Sequence, residues 1–194
     1  MKQRQYSSFW DFSVSGFTLI ELLIVIAVLG ILAVAVLSAI NPIEQINRSR
    51  DTGSRSDAEQ LINALDRYYA SKGFYAWQFG ATSTNPDTGW EAVATSWTDD
   101  DTPAQQVLTK LSSGGTAEIK ASFVNRIIDT GYNTLYVYNR GQVGDSTYIC
   151  FLPKSSAFQD EAGTRCNADL PVDYPANSCS ANCDANNNCW ACLP

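Results

Sequence analysis

Histidine occurs nowhere in the 194 residues. That absence removes Ser/His/Asp triads, Cys/His dyads, histidine-ligated catalytic zinc and the usual proton shuttle near neutral pH. Basic charge is also scarce: 13 lysines and arginines stand against 20 aspartates and glutamates, a formal net charge of −7. Nonspecific attraction to phosphate backbones or anionic headgroups is therefore not expected, and neither is a nucleic-acid partner. No nucleophile stands in a recognisable pattern with a partner base, so the chain does not read as an enzyme. Cysteine is missing until late in the chain. All six, Cys150, Cys166, Cys179, Cys183, Cys189 and Cys192, fall in the last quarter, and in an exported protein an even set of this kind reads as disulfides.

What the chain has in excess is apolar sequence in one place. Residues 17–40 form a run of 24 whose only charge is Glu21 and whose only other interruptions are Thr18, Gly30 and Ser38. As a helix rising ~1.5 Å per residue it is roughly 36 Å long, enough to cross a hydrocarbon core of about 30 Å. A secretory signal peptide has a shorter apolar region, closed by a small-residue cleavage site, and no such site closes this run. An ordinary membrane anchor accounts for the length but leaves unexplained a carboxylate near the start of the run, where charge is costly.

Gly16, Phe17, Thr18, Leu19, Ile20 and Glu21 together resemble the processing motif of type IV prepilins and type II secretion pseudopilins. The resemblance implies that a prepilin peptidase cuts between Gly16 and Phe17 on the cytoplasmic side and that the new amino group of Phe17 is methylated. Residues 1–16 are then a leader, with Lys2 and Arg4 suited to retention in the cytoplasm and Asp11 offsetting one of them. Its removal leaves the mature chain more acidic still.

Glu21 also has a physical argument of its own. A carboxylate in apolar surroundings is unfavourable unless it is protonated or meets a cation. Cleavage creates one, the Phe17 ammonium, and Glu21 could pair with that group on a neighbouring subunit, setting the axial stagger of packed helices. The resemblance implies the same role. The plainer alternative is a carboxylate favoured by the helix macrodipole, worth roughly 0.3 to 1 kcal/mol.

Within the apolar segment, 17–42, Gly30 is either a tolerated helix glycine or a place where the helix loosens on assembly, as in many pilins. Pro42 is expected to kink or locally break the helix, and a kink is favoured because a helical pattern resumes over residues 43–73: Ile43, Ile46, Leu61, Ile62, Leu65, Tyr68 and Tyr69 recur near a 3.6-residue spacing. The middle of that stretch is weak, with Gly53 among polar and charged residues and no apolar face, so a continuous but strained or kinked helix is expected there. Lys72 and Gly73 supply a last-turn cation and a C-terminal glycine. The phrase ALDRYYASKGFYAW resembles the close of the long pilin helix. Tyr68, Tyr69 and Trp77 read as packing between helix and sheet.

Residues 74–194 are expected to form a globular region. Residues 78–103 read as a long loop holding Trp90 and Trp97, either a functional surface or partly ordered. In it, Asp99, Asp100 and Asp101 form a solvated turn or, as the lesser reading, a cation site. Residues 104–111 suggest a short helix, and EIKASFVNRII fits helix or strand. The clearest strands are residues 133–140 and 146–153 around GQVGD, with Leu135 and Val137 on one face and Tyr136 and Tyr138 on the other. In pilins such a hairpin belongs to an antiparallel sheet packed on the long helix, and three or four strands are expected.

The tail, DYPANSCSANCDANNNCWACLP, has little but Trp190 to build a core, so cross-links rather than burial are expected to hold it. Cys150 could pair with Cys166, leaving three arrangements for the other four; if Cys150 pairs into the tail, all 15 return. A four-thiolate zinc knuckle competes with disulfides, and export favours the latter. Asp184, Asn186 and Asn188 resemble the first half of a calcium loop, although no glycine or distal glutamate completes it. Some pseudopilins hold calcium in a C-terminal loop, so calcium is the one cofactor in view.

The expectation is thus an α+β pilin-like protein with a disulfide-rich tail: a single-pass membrane protein before assembly, then part of a cell-surface or periplasmic filament. The resemblance implies self-association, together with a prepilin peptidase, an inner-membrane assembly platform and other pilins as partners. The leading function is a structural subunit of a type IV pilus or related filament. A pseudopilin of a secretion or DNA-uptake machine and a tip pilin acting as an adhesin or binding module are the alternatives.

Overall fold

The computed structural model describes residues 16–39, 41–101, 103–113, 117–179 and 189–194. The chain divides between Asn41 and Pro42 into two units. The first contains helix α1, Leu19–Ala39, none of whose side chains is buried. It runs without a break through Gly30, whose α-carbon has open space around it.

The second unit begins with helix α2, Pro42–Lys72. The expected kink at Pro42 is instead an interruption: α1 ends at Ala39 and Pro42 is the first residue of the next helix. A proline there loses nothing, because the amide it lacks would have no intrahelical partner and its fixed φ suits the first turn. α2 is otherwise continuous through Gly53. It ends where Gly73 takes a φ of 79° and donates its amide to the Tyr69 carbonyl at 2.7 Å, a left-handed closure that glycine adopts without a Cβ penalty.

A four-stranded antiparallel sheet packs on α2. Its strands are β1 (Glu91–Ala92), β2 (Leu135–Tyr138), β3 (Tyr148–Phe151) and β4 (Ala191–Leu193), in that spatial order. The register sets Leu135 opposite Phe151 and Val137 opposite Ile149, and these four side chains are buried in one cluster with Ala58, Leu61, Ile62 and Leu65 of α2. Each large apolar side chain buried here contributes about 1.5 to 3 kcal/mol. Short helices α3 (Val107–Ser112) and α4 (Ala121–Ile127) close the same core through Val107, Leu111 and Ile127, so EIKASFVNRII resolves as helix.

Three features lie outside the sequence expectations. A further helix, α5, spans Ser156–Cys166 and packs Phe158 and Ala162 into the core. β1 arises inside the long loop, which is packed rather than partly ordered: Trp97 is 2% exposed, and the Trp77 indole donates to Asn85 Oδ1 at 2.9 Å. β4 arises inside the tail. The outer face of the sheet carries a second cluster of Tyr148, Cys150, Tyr174 and Cys192, flanked by Trp90, Tyr138 and Trp190. β3 is therefore buried on both faces.

The weak middle of α2 also finds its reason. Its inward face is polar there because it caps α5. Asp51, 0% exposed, accepts the Ser155 amide at 2.7 Å, the Lys154 amide at 3.0 Å and Asn133 Nδ2 at 2.8 Å. About two turns earlier, Glu44 accepts the Ser156 amide and hydroxyl, each at 2.8 Å. Both carboxylates meet the positive end of the α5 dipole and amides that lack intrahelical partners.

Candidate processing and assembly site

The start of α1 holds Gly16, Phe17, Thr18 and Glu21 within two turns. The Thr18 amide donates to Glu21 Oε2 at 2.9 Å, and the Glu21 amide donates to Thr18 Oγ1 at 3.3 Å. This is a reciprocal capping box, in which two otherwise unpaired donors of the first turn are satisfied by Thr and by Glu three residues later. The Thr18 hydroxyl also donates to Glu21 Oε2. In the single chain, then, Glu21 is engaged by its own helix terminus. Thr18 is the partner that the sequence reading passed over, although the T-x-x-E spacing carries it.

Phe17 is 82% exposed, and the flank of α1 presents Leu19, Ile24, Val28, Leu32 and Val36 to the surroundings. An apolar surface of this extent on every side of a helix requires a bilayer or a neighbouring helix. Among the described residues α1 is the one helix long and apolar enough to cross a membrane.

In the globular unit, one cysteine pair is joined across the sheet and another ties the end of α5 to the tail. Cys150 and Cys192 stand opposite each other on β3 and β4 and form a disulfide, and Cys166 at the end of α5 bonds Cys179. Cys189 is also disulfide-bonded and fully buried. The Cys150–Cys166 pairing considered above is thus not formed. The four-thiolate knuckle is not formed either, since Cys192 and Cys179 are bonded outside that set. Cys183 and the calcium candidates Asp184, Asn186 and Asn188 lie outside the described residues. Among the described residues no three metal-ligating side chains cluster.

Asp99 is not the solvated residue expected. It is 6% exposed, accepts the Gln105 amide at 2.6 Å and pairs with Lys110, whose Nζ also donates to the Gln78 carbonyl at 3.0 Å. Burial opposes its charge, but the Lys110 hydrogen bond and the Gln105 amide outweigh that and hold its carboxyl below the ordinary range. The pair ties the loop to α3. Gly141 takes a φ of 79°, and a Cβ there would also meet the Asn85 carbonyl oxygen at 2.8 Å, so both demands suit glycine, and Arg140 closes the GQVGD turn with two 2.9 Å bonds to Asp145. Of the tyrosines read as packing, Tyr68 is buried with Trp77, whereas Tyr69 is 45% exposed and lies against Tyr75.

The prokaryotic N-terminal methylation motif matches residues 12–37. The type IV major pilin protein PilE1 of Neisseria gonorrhoeae is 30% identical over 149 residues, 77% of this chain. The chain spans 62% of that relative's length. No solved structure matches. The exposed apolar helix, the α+β unit and its disulfides are consistent with a pilin-type fold, and these likenesses support the type IV pilin family. Its apolar helix and motif fit a membrane-anchored precursor.

Proposed function

We propose that the chain is a structural subunit of a type IV pilus or related filament, made as a membrane-anchored precursor and polymerised through α1. A prepilin peptidase removes residues 1–16 after Gly16, and Phe17 becomes the N-methylated terminus. In the filament, Glu21 exchanges its own Thr18 contacts for the Phe17 ammonium of a neighbouring subunit, which fixes the stagger. Gly30 is where α1 loosens during packing. The assembly platform and other pilins are its partners, and the family is one of structural proteins rather than enzymes.

The observation that carries this reading is the pairing of a wholly unburied apolar helix with one carboxylate at its start. A bilayer covers the apolar surface before assembly, and neighbouring helices cover it afterwards. A major rather than a pseudopilus subunit is favoured by the relative's printed description as a major pilin. Immuno-electron microscopy of intact cells with an antibody to the globular unit tests it. Label along long surface fibres is expected; label confined to the envelope would identify a pseudopilin, and label at fibre ends alone a tip subunit.

A further inference from the structure

Among the described residues of the globular unit, the two most exposed large apolar side chains are Val143, fully exposed, and Val172, 87% exposed. Both are held on a rigid mount. Arg140 donates to Asp145 through two 2.9 Å bonds and to the Val172 carbonyl at 3.2 Å, so one guanidinium ties the β2–β3 turn to the loop after α5. Asp173 adds a second tie, accepting the Ser146 amide at 2.7 Å and the Tyr148 hydroxyl at 3.2 Å. The Cys166–Cys179 disulfide closes the loop that carries Val172. The result is an apolar knob in which Asp145, Asp169 and Asp173 outnumber Arg140. Asp169 is exposed, with no cation in ion-pair reach among the described residues.

Between α2 and α4 the same unit has a groove of about 590 Å³ whose walls include Arg67, Glu118, Ile119, Lys120, Phe123 and Arg126. Its apolar part is Ile119 and the half-buried Phe123, whose ring centre lies 5.2 Å from the Arg126 guanidinium. Its charge is positive. Arg67 meets Glu118 at 2.9 Å and Arg126 meets Asp57, each with guanidinium donors left over, whereas Lys120 is exposed and has no carboxylate in reach among the described residues.

We propose that this groove takes the knob of a second copy of the chain, with Val172 against Phe123 and Ile119 and Asp169 paired with Lys120. The inference deepens the filament reading and rests on it. Identical chains of net charge −7 repel one another, so copies make contact where cations outnumber carboxylates on one side and the reverse holds on the other. A knob already fixed by Arg140, Asp173 and a disulfide loses little freedom on docking. A neutral apolar partner would leave Lys120 unmatched, and a polyanion would leave Val172 uncovered. Knob and groove share no residue, so each copy offers one while it receives the other. Such a heterologous contact extends into an open helical array.

The test uses fibres of the full chain sheared from cells. Ser122, exposed in the groove wall, and Val172 are replaced together, Ser122→Cys with Val172→Cys, and the fibres are treated with a short bismaleimide. A ladder of dimers, trimers and higher multimers is expected on denaturing gels, and neither single variant should give it. Lys120→Glu and Asp169→Lys should each cut fibre yield roughly 10-fold, and the two combined should restore it. Both side chains are exposed, so thermal melts by circular dichroism should stay unchanged. Intact parental fibres whose double-cysteine variant gives no ladder, or a dimer alone, would overturn this contact and leave the filament reading standing. Normal yield from both charge variants would do the same. A parent that forms no fibres would remove the filament reading and this contact with it.

Discussion

Asp51 on α2 accepts both the amide and the hydroxyl of Ser155, at 2.7 and 2.6 Å, and so caps a helix whose N-cap residue lies 104 positions later in the chain. Those two bonds, with the Lys154 amide and Asn133, hold α5 to the long helix. Asp51→Ala leaves several buried donors without an acceptor, each costing about 1 to 3 kcal/mol, so the unfolding free energy should fall by about 3 kcal/mol or more. Glu44→Ala removes the neighbouring exposed cap and should cost only about 1 kcal/mol. Urea midpoints of the two variants compare them directly, and equal losses would contradict the assignment of Asp51 as the principal tie.

At the start of α1, the Thr18 to Glu21 capping box implies that Glu21→Ala weakens only the first helical turn of the single chain, by about 0.5 to 2 kcal/mol. The precursor should therefore be inserted and cleaved as usual, while filaments disappear. Immunoblots for leader removal and electron micrographs for fibres separate the two effects. Fibres of normal abundance from this variant would sink the assembly role of Glu21.

Digestion without reductant should release peptides joined through Cys150 and Cys192 and through Cys166 and Cys179, read by mass spectrometry. The first bridge closes a separation of 42 residues and the second one of 13. In the chain-entropy account the longer loop contributes more, about 4 against 3 kcal/mol. The double replacement Cys150→Ser with Cys192→Ser should then lower the melting temperature more than Cys166→Ser with Cys179→Ser, and it should free β4 from the sheet.

Acid should destabilise the globular unit in a defined window. Asp173 is held below its ordinary value of 3.8 chiefly by the Ser146 amide, which it accepts at 2.7 Å, and Asp99 is lowered by its partners despite burial. For both, the stabilisation is complete above that ordinary value and is lost as pH falls through the lower folded values. Asp57 acts the other way: burial raises its carboxyl despite Arg126, so protonating it on the way down favours the fold slightly. Stability measured from about pH 7 downward should stay nearly level to about pH 4 and decline below it. Asp173→Asn should flatten that decline.

The legible parts of the structure were those whose cause is local. The β2 and β3 hairpin follows from alternation, with Leu135 and Val137 buried and Tyr136 and Tyr138 half-buried. The end of α2 follows from Gly73. What failed were inferences from local polarity. The helix through Gly53 is continuous as expected, but Asp51 beside it read as part of an exposed polar stretch and Asp99 as a solvated turn, because a carboxylate reads as exposed until its donors are known. Asp99 depends on Lys110, and Asp51 on amides about a hundred residues away. The tail read as held by cross-links, and Cys192 is indeed bonded to Cys150; what the reading lacked is that Ala191 and Cys192 are also buried as a strand. A three-residue strand carries no periodicity to detect, and it exists because β3 has an edge to pair with it.

The sequence by itself determined the apolar length of α1 and the linear motif at its start. A linear motif and an uninterrupted apolar length are set by neighbouring residues alone, so neither waits for a fold. The tertiary structure alone decided the rest: which cysteines meet, which carboxylates are buried, and that Arg140 ties the β2–β3 turn to the loop after α5. Those depend on contacts between segments far apart in the chain, and each segment's own pattern is silent about the other.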